Sequence, residues 1–149
     1  MRNVLLPVDG SDSAFQAALY VIESIRKYGP LTVHLLNVQP NPMPWQTIGM
    51  EAEDVDAHLS VQAHVALKAV QHLLNEEGVD YQTHIRLGDV GEAVVELADE
   101  LACDHIIMGT RGLGAILGMV LGSATRKVLY LAEIPVVCVK SEPPRTAQA

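Results

Sequence analysis

The chain is poor in aromatic residues. One Phe, one Trp and four Tyr make up 4% of its 149 residues, while hydrophobic residues of all kinds make up 49%. The core must therefore be built from Val, Leu, Ile and Ala, and at this length one domain is expected to hold it. Cysteine is scarce too. Cys103 and Cys138 lie among apolar neighbours without CxxC spacing, which argues against a disulfide scaffold and for reduced, buried thiols in a cytoplasmic protein. No apolar run approaches the roughly 18 residues of a membrane-spanning helix, so no membrane partner is expected. The first apolar stretch is interrupted by Pro7 and Asp9, too early for a secretory signal. Positive charge is also lacking. Ten Lys and Arg against eighteen Asp and Glu give a net charge of −8, so no nucleic-acid partner is expected, since such a surface carries a basic stripe. A small anion remains admissible, because backbone N–H groups at a helix start bind phosphate without lysine.

Glycine, by contrast, is concentrated. The segment GTRGLGAILGMVLGS, Gly109 to Ser123, holds five of the eleven glycines: Gly109, Gly112, Gly114, Gly118 and Gly122. Glycine reaches φ > 0 cheaply and keeps no side chain between backbone and ligand. Such a cluster is either a mobile connector or a loop that wraps something.

Around it, apolar runs alternate with helical patterns. Val4 to Val8 reads as a buried strand, and Ala14, Ala17, Ala18, Val21, Ile22 and Ile25 follow at helical spacing, with Asp12 or Ser13 as N-cap. Leu31 to Val38 is a second strand, and a Pro- and Met-rich loop with Trp45 runs from Gln39 to Met50. A long helix carrying Leu59, Ala63, Ala66, Val70, Leu73 and Leu74 ends near Gly78. Strict alternation from Val79 to Leu87 marks a strand with one wet face, a sheet edge. Asp89 and Glu92 resemble a capping box before a third helix, and Ile106 to Met108 form a fourth strand. A helix from about Leu121 to Leu131 and a fifth strand, Val136 to Val139, complete the pattern, leaving 141–149 as a disordered tail after a domain of 1–140.

This β-α-β-α-β-α-β-α-β order predicts an α/β three-layer open sandwich. Five parallel strands are expected, with helices on both faces, in an order taken as 3-2-1-4-5, which the alternation alone does not fix. In such sheets the ligand crevice lies beyond the carboxyl ends of the strands, where the order reverses. Strand one ends at PVDGSD and strand four at MGTRG. Both ends flank that switch point. Gly122, Ser123, Ala124 and Thr125 would open the next helix, where free N–H groups favour an anion and two hydroxyls can donate to it, with Arg111 and Arg126 as further charge. The segment has no GxxxxGK[ST] loop, and Gly112-x-Gly114 fails as GxGxxG because Leu117 occupies the third glycine position.

Groups for catalysis are sparse. The six histidines, His34, His58, His64, His72, His84 and His105, show neither HExxH nor HxxxH spacing. His58 and His64 fall on different helix faces. Asp104 and His105 are adjacent and expected to point to opposite faces of a strand. Each cysteine sits among apolar neighbours that raise a thiol pKa. No catalytic residue is assigned.

The spacing Gly109-x2-Gly112-x9-Gly122-Ser123 resembles the G-x2-G-x9-G-[ST] signature of the ATP-binding branch of the universal stress proteins. The likeness runs from about Arg2 to Lys140, through VLLPVDGSD, VHLLNV, GDVGEAVVELADELACDHIIMGTRGLG, LGSATRKVL and IPVVCV. The resemblance implies an adenine nucleotide alpha hydrolase-like fold and a cytoplasmic homodimer that binds ATP at the switch point. By it, Pro7, Val8, Asp9 and Val38 hold the nucleoside, with Asp9 near the ribose or a Mg²⁺ ion. Met108, Gly109, Thr110, Arg111, Gly112, Leu113, Gly114 and Ala115 surround ribose and phosphates, and Gly122 to Thr125 bind phosphate. The family pairs its last strand, here Val136 to Val139, with a second subunit, and an apolar edge strand invites such pairing. At most slow ATP hydrolysis is expected of a signalling module of this kind. Two other readings exist. The apolar stretch between Gly112 and Gly122 would suit a dimeric scaffold that has lost its nucleotide. DGSDSA has a faint likeness to the SGGxDS loop of ATP pyrophosphatases, but Val8 and Asp9 stand where Ser and Gly belong.

Overall fold

The computed structural model describes residues 1–110 and 121–141. Its elements follow the expected alternation: β1 (Asn3–Pro7), α1 (Asp12–Tyr28), β2 (Thr32–Gln39), a single 3-10 turn (Pro44–Gln46), α2 (Ala52–Glu76), β3 (Tyr81–Leu87), α3 (Val90–Glu100), β4 (His105–Gly109), α4 (Ser123–Leu131) and β5 (Val136–Val139). All pairings are parallel, in the order β3-β2-β1-β4-β5. The α/β sandwich is the one the sequence predicts, and its strand order is the one assumed for it.

β1 and the Ile106–Met108 stretch of β4 read as apolar runs because both faces of the sheet are covered, while β2 carries the buried polar residues His34 and Asn37. Val4, Leu6, Val8, Val33, Leu35 and Ile107 pack against α1 and α2. Their alternate neighbours Leu5, Leu36, Ile106 and Met108 pack against α3 and α4. α2 meets the sheet through Ala63, Leu67, Val70 and Leu74, whereas Leu59, Ala66 and Leu73 are only half-buried.

Element starts shift where a backbone group is claimed elsewhere. α1 is capped by Ser11, whose side chain accepts the Ala14 N–H at 3.2 Å. The cap is therefore neither Asp12, which is exposed, nor Ser13, which is buried in the first turn. α4 begins at Ser123 and not at Leu121, because the Gly122 N–H donates to the Thr110 carbonyl at 2.6 Å. β3 begins at Tyr81 and not at Val79. Gly78 takes φ 66° to end α2, and the Val79 N–H is held by the Leu74 carbonyl at 2.9 Å. Asp89 caps α3 as expected, accepting the Glu92 N–H at 3.0 Å. The Ser141–Ala149 tail expectation falls on residues that, beyond Ser141, lie outside the described ones.

Candidate functional site

The carboxyl ends of β1 and β4 lie side by side, as the sheet order requires. Val8 is buried and anchored twice. Its N–H donates to the Leu36 carbonyl at 2.8 Å, and its carbonyl accepts the Asn37 side-chain amide at 2.8 Å. Asn37, itself 2% exposed, also accepts the Gln39 amide at 2.7 Å. This clamp joins the ends of β1 and β2. Asn37 went unmarked in the sequence, although a lone amide inside LTVHLLNV was its signal. Beyond the clamp, the Asp9 carboxylate accepts the Ser11 N–H at 2.9 Å, a side-chain-closed turn that hands the chain into α1. Gly10, at φ 86°, passes close to α2: a β-carbon there would lie 3.3 Å from the Ala66 Cα.

Gly109 ends β4 directly over the start of α1. A β-carbon on it would stand 2.6 Å from the Ser13 carbonyl carbon and oxygen, so this glycine serves close approach between elements. Its φ is not among the positive ones. Thr110, also buried, donates its N–H to the Val139 carbonyl at 3.1 Å and accepts from Gly122. Thr125, 2% exposed, donates its hydroxyl to the Gly109 carbonyl at 3.0 Å. A hydroxyl has one proton to give, so that of Thr125 secures α4 to β4 and does not point a donor at a phosphate. Ser123 is exposed.

The structure thus brings Pro7, Val8 and Asp9 to the same sheet edge as Met108, Gly109 and Thr110. Through two hydrogen bonds, Gly122, Ser123, Ala124 and Thr125 join them. Val38 and Met108 pack against one cluster on the α3 side of the sheet. Arg111, Gly112, Leu113, Gly114 and Ala115 lie outside the described residues. α4 has Gly122 as N-cap at φ −68° and ψ 161°, with no side chain capping it and no acidic residue in its first turn. The amides of its first turn therefore carry the positive end of the helix dipole with no acidic residue of their own turn to offset it.

Among the described residues, no three or more His, Cys, Asp or Glu form a group able to hold a metal ion. No helix among them is long and apolar enough to cross a membrane.

Two side-chain pairs depart from the sequence reading. Asp104 and His105 do meet, Oδ1 to Nδ1 at 2.7 Å. Asp104 precedes β4 and is not pleated with it. Its other oxygen accepts the N–H groups of Arg2 and Asn3 at 2.8 and 3.1 Å. His34 and His84 also meet, Nδ1 to Nε2 at 3.1 Å across the β2–β3 pairing. The histidines are therefore not all scattered, and the outer face of β3 is not wholly wet: His84 is half-buried. Burial pushes the His34 pKa below its ordinary value, with the neighbouring His84 adding to the shift. The His84 pKa is also lowered, by burial and then by Arg86, against a smaller opposing pull from Glu100. Burial raises the Cys103 thiol to about 11, with Asp104 contributing, and raises the Cys138 thiol. Neither is an activated nucleophile.

Comparison with known proteins agrees with this architecture. The model of the universal stress protein family matches residues 1–140. A universal stress protein of Methanocaldococcus jannaschii is 29% identical over 93% of this chain and 82% of its own length. One from Synechocystis is 30% identical over 93% of this chain and 85% of its own. Among solved structures, a universal stress family protein of Arabidopsis thaliana with AMP bound has a TM-score of 0.67 at 20% identity, covering 98% of this chain and 96% of that one. A universal stress protein in complex with cAMP has a TM-score of 0.66 at 24% identity, covering 93% and 96%. By the family model and the relatives together, this chain belongs to the universal stress protein family.

Proposed function

We propose that the chain binds an adenine nucleotide, ATP, at the carboxyl edge of its sheet and acts as a nucleotide-responsive stress-response module. The observation that carries this reading is the bare start of α4, fixed beside the β1 and β4 ends by the Gly122–Thr110 and Thr125–Gly109 hydrogen bonds. An uncapped helix N-terminus at a switch point offers convergent N–H groups to a phosphate. Relatives with AMP or cAMP in their structures support the choice of an adenine nucleotide.

In this reading Pro7, Val8, Asp9 and the backbone near Val38 border the nucleoside. Met108, Gly109 and Thr110, continuing into Arg111, Gly112, Leu113, Gly114 and Ala115, border ribose and phosphates. Gly122 borders the phosphates with its own N–H held by the Thr110 carbonyl, Ser123 and Ala124 give main-chain donors, and Thr125 holds them in place. A hard cation such as Mg²⁺ takes one or two carboxylates plus phosphate oxygens. In this reading Asp9 is the carboxylate that shares one. Hydrolysis, if any, is slow in this account. The Asp104–His105 pair sits at the opposite end of β4 from Gly109, so it is out of reach as a general base.

The protein also acts as a cytoplasmic homodimer in this account, joined through Val136 to Val139. β5 is an edge strand whose four residues are all half-buried apolar or thiol side chains. Leu129 and Tyr130 are exposed on the neighbouring helix, at 44% and 88%.

The test is to denature protein purified after incubation with ATP and identify the released small molecules by mass spectrometry. Stoichiometric adenine nucleotide is the expected result. Protein that carries none, and that also fails to retain added ATP on gel filtration, would refute the reading.

A further inference from the structure

A cavity of about 340 Å³ opens at the other end of the molecule, between the C-terminal half of α3 and the turn joining α4 to β5. Ala98, Cys103, Ile106 and Ile134 form its apolar floor. Ala102, at φ 51°, turns the chain sharply after α3 and makes part of one wall. Its volume falls in the range of small-molecule pockets, which combine apolar walls with a few placed polar groups.

The polar groups here are all of one sign. Glu96, Asp99 and Glu133 line the cavity, and no lysine, arginine or histidine does so among the described residues. All three carboxylates are exposed. None is in an ion pair or side-chain hydrogen bond with a described residue. Two helices end at this cavity as well. α3 closes at Leu101 and α4 at Ala132, and neither has a basic residue in its last turn. The carbonyls ending α3 are largely taken, Ala98 by the Cys103 N–H at 2.8 Å, Asp99 by the Ala102 N–H at 3.0 Å and Leu101 by the Asn3 amide at 2.8 Å, so what the two C-termini add is the negative end of the macrodipole. Carboxylates and dipoles therefore add to one negative field over an apolar hollow. An anion would be repelled there, and a cation at the rim would be attracted by all three carboxylates at once.

We propose that this cavity binds a small organic cation, an ammonium or guanidinium group carried on an aliphatic or aromatic body. The body covers Cys103, Ile106 and Ile134, while the charged head stays at the rim between Glu96, Asp99 and Glu133. The site is separate from the nucleotide edge. α4 starts at that edge and ends here, and nothing in the proposal depends on what its other end binds.

The experiment titrates phenethylammonium chloride into the full-length protein and follows backbone amides by NMR. Saturable shifts are expected within residues 95–106 and 131–134. 2-Phenylethanol, which keeps the body and loses the charge, should bind about tenfold more weakly. The exposed triple variant Glu96→Gln, Asp99→Asn, Glu133→Gln should lose a similar factor while its spectrum stays dispersed. Added salt should weaken the ammonium and leave the alcohol unchanged. Glu133→Lys, which puts a cation on the rim, should also weaken the ammonium. The proposal is overturned if the ammonium gives no saturable shifts, or shifts centred elsewhere. It is equally overturned if the alcohol binds as well, or if the variants bind the ammonium with wild-type affinity.

Discussion

Gly109 has no room for a side chain, and that fact organises the residues around it. Its carbonyl takes the Thr125 hydroxyl, its Cα lies against Ser13, and Thr110 next to it accepts from Gly122. Gly109→Ala should cost about 1–3 kcal/mol by overpacking, read as a lower midpoint in urea. Thr125→Val leaves the Gly109 carbonyl without its donor and should cost about 1–3 kcal/mol, with Thr125→Ser recovering most of it. The histidine pair makes a pH prediction. Both folded-state pKa values lie below the ordinary 6.5. Between the folded and unfolded values the unfolded chain binds more protons, so the stabilisation is full above the unfolded value and disappears as pH falls through the folded ones. The thermal midpoint should therefore drop as pH is lowered from about 8 to about 5, and drop less in His84→Gln. None of these three contacts was visible in the sequence. Gly109 read as a flexible or ligand-facing glycine because its collision partner is 96 positions away in the chain. His34 and His84 are neighbours only through the β2–β3 register, which periodicity does not supply.

At the scale of elements, most of the outline was legible, because apolar periodicity records which face is buried. The unbroken run of β1 announced a buried strand, and the alternation of β3 announced an edge. Boundaries were harder, since each depends on one hydrogen bond. The cap of α1 is the example: three polar residues stand in sequence, Ser11, Asp12 and Ser13, and only the chain's entry angle selects Ser11. Ser11→Ala should lower stability by about 1 kcal/mol, and Asp12→Ala by less, measured by chemical denaturation of each variant. Charge assists at the start of α3. Asp89 is held below the ordinary carboxylate range by the Glu92 N–H and then by Lys127; the Asp89–Glu92 spacing indicated the first of these contacts and not the second.

For the whole molecule, chain order and the handedness of crossovers give a parallel sheet covered on both faces, but they equally admit the order 2-1-3-4-5; the order 3-2-1-4-5 enters as a condition, which the structure meets. The candidate site was legible in outline on that condition. The order 3-2-1-4-5 must place the ends of β1 and β4 together, whatever their side chains. What sequence could not supply was the clamp by Asn37 and the diversion of the Thr125 hydroxyl, both set by distances across the sheet. The proposed subunit contact belongs to this scale. Sedimentation equilibrium should return twice the monomer mass, and a monomer at every concentration would remove the β5 pairing from the account.

The central claim is that main-chain amides at the start of α4 hold a nucleotide's phosphates. Gly122→Val tests it, because φ −68° and ψ 161° are open to a β-branched residue while its methyl groups would crowd the anion. Titration calorimetry with ATP and Mg²⁺ should give saturable binding to the wild type and at least about tenfold weaker binding to the variant. Equal affinities, or no heat of binding in the wild type, would contradict it.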